Sequence, residues 1–177
     1  MKTNGLWLAV VSLYLLFGIA TAQTDVSGPI TANTTWSQPN GPYIVVGNTL
    51  VQEGVTLSIE PGVVVKFEMG MAIQINGELV AMGTIDMPIL FTSSASTPEP
   101  GDWGYISFSN TSSDAEFDEA GNYLSGSVMA YCVVEYAGGT TYNFGAIILD
   151  NARPYIFRCD IRDNSTSGIY GINLTGT

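Results

Sequence analysis

From Tyr43 onward, the chain alternates apolar and polar positions with period two, the signature of strands that bury one face. The stretch Thr56–Phe67, "TLSIEPGVVVKF", shows the unit: two short apolar runs broken by Glu60-Pro61-Gly62. The alternation points Leu57, Ile59, Val63, Val65 and Phe67 inward, and Ser58, Glu60, Val64 and Lys66 outward. Pro61 fixes φ and Gly62 takes up the tight turn, so the break reads as a corner between two walls. No window sustains apolar residues at helical spacing.

The unit repeats. Leu57-Ser58-Ile59 is echoed 16 residues on by Ile73-Gln74-Ile75, again 16 on by Ile89-Leu90-Phe91, and 17 on by Ile106-Ser107-Phe108. In the first two units the corner repeats too, Pro61-Gly62 aligning with Asn76-Gly77. Fixed-period self-similarity predicts a solenoid, here with coils of about 16–17 residues. A polar, acidic loop follows from Ser109 to Gly126. Beyond it the unit lengthens, and Tyr131-Cys132-Val133-Val134 finds its match only at Arg158-Cys159-Asp160-Ile161. The competing fold is an antiparallel sandwich, for which Asn40-Gly41 and Asn76-Gly77 would serve as hairpin turns. The three-element repeat favours the solenoid.

"TLSIEPGVVVKF", "IQINGELVAMGT", "PILFTS", "GDWGYISF" and "YCVVEYAGG" together resemble the opening of secreted right-handed parallel β-helix proteins of the pectate-lyase-like superfamily. "RPYIFRCDIRDNSTSGIYGINL" is similar to the generic helix repeat of that group. The resemblance runs from Tyr43 to the end. It implies an all-β, right-handed parallel β-helix capped at its N-terminal end. It also implies either a non-catalytic module of an extracellular protein or a polysaccharide lyase or glycoside hydrolase, between which fold does not choose.

Residues 1–22 stand apart. Lys2, the apolar run Leu6–Ala20 and Ala20-Thr21-Ala22 read as a secretory signal peptide. The run falls short of the roughly 20 residues needed to span a bilayer, and no later segment is long enough. Residues 23–42 read as an extended, polar lead-in or cap, and residues 43–177 as the β-helix. Because a strand pattern runs up to Leu174-Thr175-Gly176-Thr177, further coils are expected beyond it.

The whole chain carries a formal charge of −11. Past Ala22 only Lys66, Arg153, Arg158 and Arg162 oppose sixteen acids. Such a surface repels nucleic acid and anionic lipid, leaving polysaccharide or other cell-surface components as expected partners. The absence of histidine excludes a histidine-dependent triad and a histidine-ligated zinc site. Two cysteines make no disulfide scaffold. Cys132 and Cys159 hold matching places and are expected as stacked free thiols, with a disulfide as the alternative. Sequons fall at Asn33, Asn110, Asn164 and Asn173.

Candidate chemistry is thin. The resemblance implies that a lyase would use Arg158 or Arg162 as base, with Asp160 and Asp163 on calcium; the plainer reading pairs these charges along one strand. Asp114, Glu116 and Asp118 alternate like the start of a calcium loop, but its glycine, Gly121, falls one place late and Ser125 takes the bidentate position. Glu135 and Asp160 form the one acid pair suited to glycoside hydrolysis. Trp103, Tyr105, Tyr131, Tyr136 and Tyr142 offer faces for sugar stacking or for the core. The outward positions Ser58, Gln74, Leu90 and Ser107 supply no threonine ladder for ice. The chain therefore reads as a non-catalytic secreted or cell-surface module, structural or glycan-contacting, with a calcium-dependent polysaccharide lyase as the alternative. No cofactor is expected, and calcium is the one ion this chemistry would admit.

Overall fold

Short β-branched and aromatic runs cannot bury a face alone, so they stack. The computed structural model describes residues 23–139 and 144–173. The expected signal peptide, Tyr142 and Leu174–Thr177 lie outside them. The first coil holds β1 (Thr24–Ile30) and β2 (Thr34–Trp36), then a 3-10 turn at Gln38–Asn40; the second holds β3 (Tyr43–Val51) and β4 (Thr56–Ile59). The third holds β5 (Val64–Phe67), β6 (Ile73–Ile75) and β7 (Glu78–Met82). In the fourth, β8 (Ile89–Ser93) and β9 (Ile106–Phe108) precede a hairpin, β10 (Glu116–Phe117) and β11 (Tyr123–Ser125), and then β12 (Val128–Ala130). The fifth has β13 (Cys132–Glu135), β14 (Gly145–Asp150) and β15 (Tyr155–Phe157), and the sixth β16 (Asp160–Arg162) and β17 (Ser167–Ile172).

These coils build three parallel walls. On the first, Thr24 pairs with Tyr43, Tyr43 with Val65, Val65 with Phe91, Phe91 with Val134, and Val134 with Ile161. On the second, Thr49 pairs with Ile73, Ile73 with Ile106, Ile106 with Ile147, and Ile147 with Ile169. On the third, Trp36, Ile59, Ala81, Met129 and Ile156 align. β1 and β3 each run through the bend between the first two walls, with a register shift between Val26 and Gly28. The polar lead-in thus forms strands paired to the second coil. Among the described residues the β10–β11 hairpin is the one antiparallel pair, so the sandwich is ruled out. The fold is a right-handed parallel β-helix.

The side-chain alternation is as expected: Leu57, Ile59, Val63, Val65 and Phe67 are buried, while Glu60 is exposed and Lys66 half-exposed. The coil length is not. Along the first wall the turns close from Thr24 to Tyr43, on to Val65, then Phe91 and Val134, each longer than the short coil expected there. Leu57 stacks on Leu79, not on Ile73, which sits on the second wall beneath Ile106. The short echo counts strand-and-corner units, two from Leu57 to Ile73 and from Ile73 to Ile89 and one from Ile89 to Ile106, whereas a full turn takes three. The longer match of Cys132 with Cys159 is a true turn, since Val133 pairs with Asp160. The aligned corners also differ. Gly62 sits at φ +77°, while Gly77 lacks a positive φ but has no room for a Cβ against the carbonyls of Gln52 and Val55.

Candidate functional site

The parallel pairing of β13 with β16 places Glu135 opposite Arg162. Arg162 donates to Glu135 Oε2 from Nη2 at 2.8 Å and Nε at 3.1 Å, and to Asp160 Oδ2 from Nη1 at 2.9 Å. Asp163 Oδ2 lies 3.7 Å from Nε. The other oxygen of Glu135 accepts from Thr92 Oγ1 at 2.9 Å. Glu135 is 8% exposed and Arg162 reaches it from solvent. The hydrogen bonds to Glu135, with the nearby Asp160 and Asp163, hold the Arg162 proton more tightly than usual. A base needs the opposite, a cation destabilised by its surroundings.

Arg158 does not belong to that cluster. It occupies the corner before β16 at φ +52°, and its guanidinium lies 5.2 Å from the Phe157 ring centre and 5.8 Å from that of Tyr131. The candidate residues therefore divide: Glu135, Asp160, Asp163 and Arg162 come together as an ion-pair network, and Arg158 joins an aromatic group.

The acidic stretch in the fourth coil forms a hairpin. Asp114 Oδ1 accepts from the Arg153 backbone N–H at 2.7 Å, and Glu116 Oε2 accepts from Ser125 Oγ at 3.0 Å. Asp118 Oδ1 accepts from the N–H groups of Ala120 and Asn122 at 2.9 and 2.7 Å, and Oδ2 accepts from Asn122 Nδ2 at 2.8 Å. These bonds, Asn122's first, hold the Asp118 carboxyl below its ordinary range. Each of the three carboxylates thus serves its own partners, shared with neither of the others. Among the described residues no three Asp, Glu or Cys side chains converge as metal ligands.

The hairpin folds back on the outside of the third wall. There Phe117 meets Tyr155 edge-on at 5.1 Å, Tyr123 stacks on Tyr155 at 6.1 Å, and Tyr155 stacks on Phe157 at 5.4 Å. Tyr131 meets Phe157 edge-on at 5.9 Å, and Arg158 covers both. Phe117 is exposed and the four others half-buried. Burial, then the negative field of Glu78, pushes the Tyr123 phenol up, and its hydroxyl donates to Gly126 O at 2.6 Å.

Of this group the sequence singled out only Tyr131. The available signal was Tyr155-Ile156-Phe157, which follows Val128-Met129-Ala130 at the same interval that separates the cysteines and carries aromatics at both outward positions. Trp103 is core: it stacks on Phe67 at 3.9 Å and donates Nε1–H to Glu135 O at 2.8 Å. Tyr136 packs on the core at φ +65°, and Tyr105 is half-buried. Cys132 is buried and Cys159 half-buried, both as free thiols. The sequon residue Asn164 accepts from Ala137 N–H and donates to Val134 O, tying the sixth coil to the fifth.

No helix among the described residues is long and apolar enough to cross a membrane. No curated protein and no solved structure matches the chain. A family model does, that of the pectate-lyase-like β-helix domain, over residues 28–144. With three parallel walls spanning and extending beyond that stretch, the chain belongs to the pectate-lyase-like β-helix domain family.

Proposed function

We propose that the protein is a non-catalytic, secreted or cell-surface β-helix module that contacts glycan through the outside of its third wall. The observation that carries this reading is the aromatic group Phe117, Tyr123, Tyr155, Phe157 and Tyr131, rimmed by Arg158 and the hydroxyl- and carboxylate-bearing hairpin. Pyranose rings present C–H faces that pack on aromatic rings, while their hydroxyls seek polar groups at the rim. The non-catalytic half is supported by Arg162, whose donors are engaged by Glu135 and Asp160. Secretion is supported by the signal-like stretch Met1–Ala22 and by the strongly acidic remainder.

A glycan array with the purified domain, repeated with Phe117→Ala, tests the contact. Binding that weakens in the variant without loss of folding supports it, and clean absence of binding removes it. A uronate-release assay with and without calcium tests the other half, which robust unsaturated product would overturn.

A further inference from the structure

We propose that Cys132 and Cys159 are a modification site, a thiol pair that closes into a disulfide and staples the sixth coil to the fifth. The inference is independent of glycan contact. Val133 pairs with Asp160 and Val134 with Ile161, so the cysteines immediately before them occupy equivalent places in consecutive coils. Parallel strands lie about 4.8 Å apart, inside the Cα separation of about 4.4–6.8 Å that a disulfide accepts. Both cysteines follow a left-handed corner residue, Tyr131 at φ +50° and Arg158 at φ +52°, so the two chains enter the strand alike.

The thiols also point alike. Cys132 Sγ lies 3.5 Å from Ala130 O and 3.6 Å from Ala81 O; Cys159 Sγ lies 3.6 Å from Phe157 O and 3.2 Å from Met129 O. Each thus faces its own corner and the coil beneath.

Their environments assign different roles. Cys159 is half-buried and reachable, whereas Cys132 is 1% exposed. The hydrogen bond from Cys132 draws the Cys159 thiol down to about 7, and the same bond pushes Cys132 up. Cys159 is therefore the attacking thiolate and Cys132 the resolving thiol. With a small-molecule disulfide such as glutathione disulfide, Cys159 Sγ attacks one sulfur and expels a glutathione thiolate. Cys132, on losing its proton, then attacks Cys159 Sγ in the mixed disulfide and expels the second glutathione thiolate. The oxidant takes two electrons, and the two protein protons end on the two glutathione thiols.

The test incubates the native, reduced protein with glutathione disulfide, quenches with acid, alkylates under denaturing conditions and maps peptides by mass. The expected result is a Cys132–Cys159 cross-linked peptide with both thiols lost together. Cys132→Ser should stop at glutathione on Cys159, and Cys159→Ser should stay unmodified while folded. Two thiols that remain alkylatable in the wild type after prolonged exposure overturn the proposal. A Cys159→Ser protein that reacts at Cys132 as fast as the wild type does overturns the assignment of roles.

Discussion

Glu135 and Arg162 face each other across consecutive coils, with Glu135 Oε2 accepting two guanidinium hydrogen bonds at 2.8 and 3.1 Å. The carboxylate is nearly buried and the arginine half-exposed, so the arginine supplies the opposite charge and two of the hydrogen-bond donors that the acid would otherwise find in water. Arg162→Met leaves that acid with Thr92 alone. The expected cost is about 1–2 kcal/mol in denaturant unfolding, below a fully buried pair because solvent screens the arginine. The cost should shrink in a Glu135→Gln background, as coupling within one network requires.

Trp103 behaves as a keystone of the core. Trp103→Ala should lose about 3–5 kcal/mol, from its volume and from the stack on Phe67. Trp103→Phe keeps most of the volume but leaves Glu135 O without its indole donor, an expected loss of about 1–3 kcal/mol. Unfolding curves for both variants check this, and a Trp103→Ala protein as stable as the wild type would return Trp103 to the surface candidates.

Asp118 organises the hairpin only while ionised. Its folded value is depressed, so its contribution is complete above its unfolded value of about 3.9 and fades as pH falls through the folded one. Asp118→Ala should speed amide hydrogen exchange at Ala120 and Asn122 near neutral pH. In the wild type the protection factors of the same amides, taken against their intrinsic rates at each pH, should fall on acidification below about pH 4.

Asn164 replaces two backbone partners with one amide. Asn164→Ala leaves Ala137 N–H and Val134 O without that bridge, an expected loss of about 1–3 kcal/mol. Exchange protection should fall first in the sixth coil.

The apolar alternation carried most of the fold, because inward and outward positions depend only on the strand period. Val133 over Asp160 was readable since both coils keep the same spacing. Leu57 over Leu79 was not, because apolar spacing reports how long a strand and its corner are, not how many walls close a turn. Glu135 opposite Arg162 followed from the match of Cys132 with Cys159. The aromatic surface did not, since Phe117 and Tyr155 meet only when the hairpin folds back, a tertiary event with no local period.

Coil length and height are uncoupled in this stack. The fourth coil runs all the way from Phe91 to Val134 and the first only from Thr24 to Tyr43, yet each climbs a single strand spacing of about 4.8 Å. Much of the surplus in the fourth coil leaves and returns at the seam between the second and third walls. New chain inserted there changes what the exterior displays without asking the interior to repack. The stack behaves as a common shaft that accepts lengths of chain from outside, and here the inserted length is the hairpin that carries Phe117 and Tyr123.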